Sequence, residues 1–302
     1  MKTVDAQCAA IPTESDNTTN DCEASFIRTT FEVCFAIYVV LYVTGALSVF
    51  TGNIDSFRYE QNVTPLTNPY FVYGIISFYV VSIFFLQKYM KDKPPLDVKY
   101  FTIVHNFILV VLSGYLTYGI SSVVFPYIYK NGFRNSFCNP ELHNNGYLHM
   151  LYYLNYLLKF YEHIDTYILI VKKKNVIFLH WYHHALTAIL TYVQQNTYTT
   201  VQWVPILANV FVHVMMYSYY LFSSLKINVW WKQYITQLQI LQFVIDITIC
   251  AYTAIQLYTY PDTCPGQYSA IWTGIPILSS YLVLFLDFFK KSYLKKKVIK
   301  TE

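Results

Sequence analysis

The chain has 302 residues, 55% of them hydrophobic, 19% aromatic and only 13% charged, with a formal net charge of +4. Soluble domains carry roughly 25% charged residues, so this composition excludes one: too many large apolar side chains would face water. Nothing in so small a charge excess calls for nucleic acid as a partner.

Residues 1–30 form an acidic leader, with Asp5, Glu14, Asp16, Asp21 and Glu23 against Lys2 and Arg28, and an Asn17-Thr18-Thr19 sequon. It lacks the apolar core of a cleavable signal peptide. An extra apolar helix follows at 31–52, its apolar run at 33–50. If that helix spans a bilayer the N-terminus is cytoplasmic, and if it lies in the interface the N-terminus is lumenal. The acidic leader and its sequon favour the lumen, and both span counts stay open.

Apolar runs of spanning length then recur at 70–86, 101–125, 150–171, 176–192, 200–222, 234–253 and 268–289. In lipid every backbone polar group needs an internal partner, so these runs predict helices. The expected fold is all-α: a polytopic membrane domain over 70–291 with seven spans, one more if the N-terminal helix crosses, and a basic tail at 292–302. Lysines mark alternate connections: Lys91, Lys93 and Lys99, then Lys172, Lys173 and Lys174, then Lys226 and Lys232, then the tail from Lys290 to Lys300. By the positive-inside rule these face the cytoplasm, and the C-terminus with them. The other loops are poor in basic residues apart from Lys130 and Arg134.

Four of the spans carry polar residues at helical spacing. Lys159, Glu162, Asp165 and Thr166 read KxxExxDT. His180, His183 and His184 read HxxHH, crowding three imidazoles onto one helix face. Asn209, His213, Met216, Tyr217, Tyr219 and Tyr220 read NxxxHxxMYxYY, and Thr236, Gln239 and Gln242 read TxxQxxQ. Ionisable groups at membrane depth are costly and point to function. Counted from the lysine clusters at about 1.5 Å per residue, the four boxes lie roughly 9–20 Å inside the cytoplasmic boundary. The expectation is a chamber open to the cytosol with an apolar deep half, shaped for a polar head and a long hydrocarbon tail.

These four boxes, in this order over about 70–291, resemble those of the ELO family of fatty-acid elongases. The runs Val201-Gln202-Trp203-Val204-Pro205 and Val229-Trp230-Trp231-Lys232 are most similar to the fungal branch, which makes saturated very-long-chain acyl groups for sphingolipids. The resemblance implies six helices ringing a tunnel and a seventh outside, residence in the endoplasmic reticulum membrane, and no cofactor or metal. The implied reaction condenses a long-chain acyl-CoA with malonyl-CoA to a 3-ketoacyl-CoA, CO2 and CoA, with the reductases and dehydratase of the elongation cycle as partners. The final Lys300-Thr301-Glu302 has a lysine at only one position of a dilysine retrieval signal.

Decarboxylation of a malonyl unit supplies a carbanion, and the acyl group must be presented to it. No cysteine lies in a polar box; Cys34 and Cys250 stand in apolar runs and read as small hydrophobes. A neutral imidazole attacks thioesters, so an acyl-histidine route is chemically open. The resemblance assigns the nucleophile to His183, with His180 and His184 orienting it or exchanging protons and His213 opposite. Asn209, Gln239, Gln242 and Tyr217 are candidate donors to the thioester oxygen or enolate. Lys159, Glu162, Asp165 and Tyr220 complete the candidate substrate contacts, although the first three also suit a buried ion network and the glutamines suit interhelical glue. Lys172, Lys173 and Lys174 are first topology anchors and second a site for the CoA phosphates. His105, His143, His149 and His163 read as ordinary residues.

Two rival functions are a membrane di-iron desaturase or hydroxylase, which also uses HxxHH, and a non-catalytic seven-helix protein. The first needs more histidine boxes than the chain offers, and the second has no use for three clustered imidazoles. Of six cysteines, two lie in spans and Cys8 and Cys22 in the leader; Cys138 and Cys264 fall in separate lumenal loops. A disulfide between them is expected, and elongases of this family carry cross-links between such loops; two free thiols are the alternative.

Overall fold

The computed structural model describes residues 57–294 apart from 139, 198, 199, 262, 263 and 265. All belong to one compact unit, Gly52–Glu302. The acidic leader, the extra apolar helix and the tail beyond Leu294 lie outside the described residues.

Among the described residues every regular element is helical. Helix α1 spans Pro69–Met90, α2 Lys99–Asn131, and the short α3 and α4 Asn135–Cys138 and Pro140–His143. Then come α5 at Gly146–Tyr161, α6 at His163–Val171, α7 at Phe178–Thr197, a 3-10 turn at Thr200–Gln202, α8 at Trp203–Ser224, α9 at Lys232–Thr259 and α10 at Tyr268–Phe289. Asn68 and Asn145 cap α1 and α5 by accepting from Tyr70 and Leu148 N–H, which fixes where these helices begin. Most helices outrun the apolar segments that announce them, because hydrogen bonding continues into the polar flanks.

Among the described residues five helices are long and apolar enough to cross a membrane: α1, α2, α8, α9 and α10 with its extension to Leu294. The run at 150–171 is not one helix but two, broken at Glu162, whose N–H reaches both Leu158 and Phe160 carbonyls. Helices α5 and α6, with 16 and 9 residues, are each too short to cross alone, and α7 carries the three histidines of the HxxHH box. Helix α2 packs along α8, α8 on α9, α9 on α10, α10 on α7, α7 on α5, and α5 back on α2; α1 lies outside this closed series, against α6 and α7.

At one end the lysine-bearing loops meet. Leu96 N–H donates to the Val171 carbonyl at 2.9 Å, Lys173 Nζ to the Lys91 carbonyl at 2.6 Å and Lys172 Nζ to Thr102 Oγ1 at 2.9 Å. At the other end a disulfide joins Cys138 of α3 to Cys264 before α10. Phe137 stacks on Trp203 at 5.8 Å, the Trp203 Nε1 donates to the Ser136 carbonyl at 3.3 Å, and Arg134 lies over the Tyr260 ring. Residues 57–68 close the same end, their Pro65 and Leu66 carbonyls accepting from Tyr153 and Tyr156 hydroxyls at 2.6 Å. Inside, α2 approaches α5 at Gly119, where an added Cβ would sit 2.9 Å from Leu151 Cδ1.

Candidate active site

The polar boxes converge in two connected hydrogen-bonded clusters and one cavity. The first cluster is centred on Glu162, at the break between α5 and α6. Its Oε1 accepts from Lys159 Nζ at 2.9 Å and stands 3.2 Å from His213 Nδ1 of α8. Lys159 Nζ also donates to Asn209 Oδ1 at 2.7 Å. With its oxygen thus engaged, Asn209 turns its Nδ2 to His213 Nε2 at 3.3 Å. An amide nitrogen only donates, so His213 Nε2 accepts and a neutral ring carries its proton on Nδ1, which lies close to Glu162 without meeting hydrogen-bond geometry. Lys159, Glu162 and His213 are all buried, and each charge is matched by a partner rather than by water.

The second cluster is centred on Asp165, one turn further along α6. Tyr217 donates its hydroxyl to Oδ2 at 2.7 Å, and His105 Nε2 of α2 lies 2.8 Å from Oδ1. Thr166 beside it bonds the Tyr79 hydroxyl at 2.7 Å and His180 Nε2 at 3.0 Å, while Tyr79 stacks on His163 at 3.9 Å. The KxxExxDT segment thereby ties α1, α2, α7 and α8 to itself.

In the HxxHH box the three imidazoles differ in what they touch. His180 and His184 are 4.6 Å apart, with His180 held by Thr166 and His184 buried. His183 is only partly buried and packs on Tyr281 of α10 at 4.7 Å and Phe285 at 5.9 Å. It lines a cavity between α5, α7, α8, α9 and α10, together with Lys159, Asn209 and Gln242.

Gln242, Lys159 and Asn209 thus share a wall with His183, whereas Gln239 donates to Met216 Sδ at 3.6 Å and lines no part of it. Tyr220 is 43% exposed, its ring edge-on to Tyr217 and Tyr219, away from the cavity. Lys172, Lys173 and Lys174 occupy the loop after α6, the first two bound to Thr102 and the Lys91 carbonyl.

The expected apolar deep half differs from what is seen. Beyond His183 the cavity wall carries Thr187, Thr191 and Gln194 of α7, Asn155 of α5, Gln202, and Asp246 of α9. At helical spacing a few inward polar residues disappear into an apolar average, which is why the pattern did not announce them. Asp246 was nonetheless visible as a lone carboxylate in an apolar run, one turn past Gln242 on the TxxQxxQ stripe. His105 was likewise a lone ionisable group in the run at 101–125, but its partner was not legible, because only tertiary packing brings it to Asp165.

The sequence profile of the ELO (GNS1/SUR4) family matches residues 64–301. A putative fatty acid elongase 1 from Schizosaccharomyces pombe is 38% identical over 258 residues, 83% of this chain and 77% of its own length. Fatty acid elongase A of Dictyostelium discoideum is 37% identical over 82% of this chain and 92% of its own, and long chain fatty acid elongase 2 of Caenorhabditis elegans 32% over 79% and 87%. Spanning both the paired polar clusters and the cavity that His183 lines, this match shows that the chain belongs to the ELO (GNS1/SUR4) family.

Proposed function

We propose that the protein is a fatty-acid elongase that condenses a long-chain acyl-CoA with malonyl-CoA through an acyl-histidine. The observation that carries this reading is the placing of His183, alone of its box, on the wall of an interhelical cavity beside Lys159, Asn209 and Gln242. Among the described residues no hydrogen bond occupies its ring nitrogens, and aromatic packing against Tyr281 and Phe285 orients the ring. A ring lone pair is therefore free to attack a thioester carbonyl; the bond to sulfur breaks and CoA leaves as its thiolate. Loss of CO2 from malonyl-CoA then supplies an enolate whose carbon attacks the acyl-imidazole, releasing His183 and the 3-ketoacyl-CoA. Asn209, Gln242 and Lys159 supply donors for the oxyanion and enolate oxygen, and the network through Glu162 and His213 keeps them in place.

The family match and the relatives' names support elongation, the helix packing supports seven spans with six in a closed series, and the lysine clusters at one end support placing that end in the cytosol. The reading carries with it an endoplasmic reticulum location and partner enzymes that reduce, dehydrate and again reduce the 3-ketoacyl product. The donor set is less suited to the di-iron alternative: Asp165 holds His105, Tyr79 stacks on His163, and Glu162 and Asn209 hold His213.

The test is incubation of purified protein with acyl-CoA alone, followed by mass spectrometry. An acyl adduct on the peptide containing His183, discharged by malonyl-CoA to a chain two carbons longer, is expected. In His183→Ala both disappear while the protein stays monodisperse. An adduct on another residue, or near-normal turnover in the variant, refutes the histidine route.

A further inference from the structure

Three buried polar side chains on the cavity wall beyond His183 each hold an oxygen without a hydrogen-bond partner among the described residues: Asn155 Oδ1, Gln202 Oε1 and Asp246 Oδ1. They come from α5, the 3-10 turn and α9, and their residues are 1%, 3% and 0% exposed. Asp246 decides the matter, because its identity as an acceptor does not depend on which way an amide is turned. Its Oδ2 accepts from Gln242 Nε2 at 3.2 Å, which leaves the buried Oδ1 without a partner on a residue of the cavity wall. Phe243, between Gln242 and Asp246 in sequence, packs on the His183 ring at 6.4 Å. Asp246 therefore lies less than a helical turn, about 4.5 Å, further along α9 than the level of His183.

A plain hydrocarbon chain in this cavity would leave Asp246 Oδ1 unpartnered, which is costly for a buried acceptor. A hydroxyl group satisfies the site in either protonation state of the carboxyl, since it both donates and accepts; an ether or ketone oxygen cannot do both. Building on the elongase reading, we propose that the cavity contains a polar subsite centred on Asp246 that selects acyl chains bearing a hydroxyl a few carbons from the thioester.

The experiment uses the full-length protein and acyl-CoAs of equal length that carry one hydroxyl at successive carbons or none. Competition under turnover is expected to favour one hydroxyl position by about tenfold in kcat/KM, the effect of one well-placed hydrogen bond. Asp246→Leu should reverse the preference toward the plain chain, and Asp246→Asn should keep part of it. Thermal-shift binding of the same acyl-CoAs, read without malonyl-CoA, separates the two proposals. A hydroxyl-dependent shift in wild type but not in Asp246→Leu supports the subsite even where no condensation occurs. Equal turnover and equal shifts for all chains in wild type overturn it, whether or not either variant folds, and so does an unchanged preference in a folded Asp246→Leu.

Discussion

Lys159→Met removes the cation from a pair in which the lysine is 2% and the glutamate 1% exposed, so water cannot replace it. Glu162 would keep only His213 Nδ1 at 3.2 Å, and Asn209 Oδ1 would lose its 2.7 Å donor. Breaking a buried pair from one side costs about 3–5 kcal/mol, and at about 2–4 °C per kcal/mol the Tm should fall by about 6–20 °C. The double variant Lys159→Met/Glu162→Leu removes the orphaned charge as well and should regain most of that loss, because two apolar groups of similar volume need no partners. Activity should stay absent in both, since the cavity loses the donor next to His183. Thermal melts of detergent-solubilised protein followed by size exclusion, with condensation assayed on the same samples, measure both effects. A single variant melting within about 2 °C of wild type, or a double no more stable than the single, would refute the view that Glu162 depends on Lys159.

Reduction, or Cys138→Ser, should lower the Tm: the cysteines are 126 residues apart, and loop closure over that length gives an upper bound of about 5 kcal/mol, less where inserted helices already restrict the unfolded chain. Non-reducing peptide mapping should recover the two cysteine peptides linked, and alkylation of both thiols without reductant would remove the claim. Tyr217→Phe leaves Asp165 Oδ2 without its donor and should cost about 1–3 kcal/mol together with activity, whereas Tyr220→Phe, at a half-exposed ring, should stay within about 0.5 kcal/mol. Paired melts and turnover distinguish them, and equal losses would contradict the geometry. Asn62 should remain unglycosylated despite the Asn62-Val63-Thr64 sequon, since the Thr64 side chain is buried and accepts from Glu60 N–H at 2.9 Å; endoglycosidase treatment should leave the mobility unchanged, and a shift assigned to Asn62 would contradict it.

What the chain's own pattern determined was helical class, the positions of most spans and the four polar boxes, because hydropathy and i, i+3, i+4 spacing are local properties that packing does not alter. The same locality explains its errors. The run at 150–171 reads as one helix, yet Glu162 interrupts it where its carboxylate turns to Lys159 and His213. The HxxHH spacing places three imidazoles on one face, but only the fit of α7 against α10 puts His183 on the cavity wall, while α6 takes up His180. His105 meets Asp165 across 60 residues of sequence, and Tyr217 meets it across 52. Such contacts depend on how helices rotate about their axes when six of them close on one another, and no short window of sequence carries that information. The polar lining beyond His183 was hidden for a related reason: an inward-facing glutamine and an outward-facing one weigh the same in a hydropathy average, and only the tertiary arrangement tells them apart.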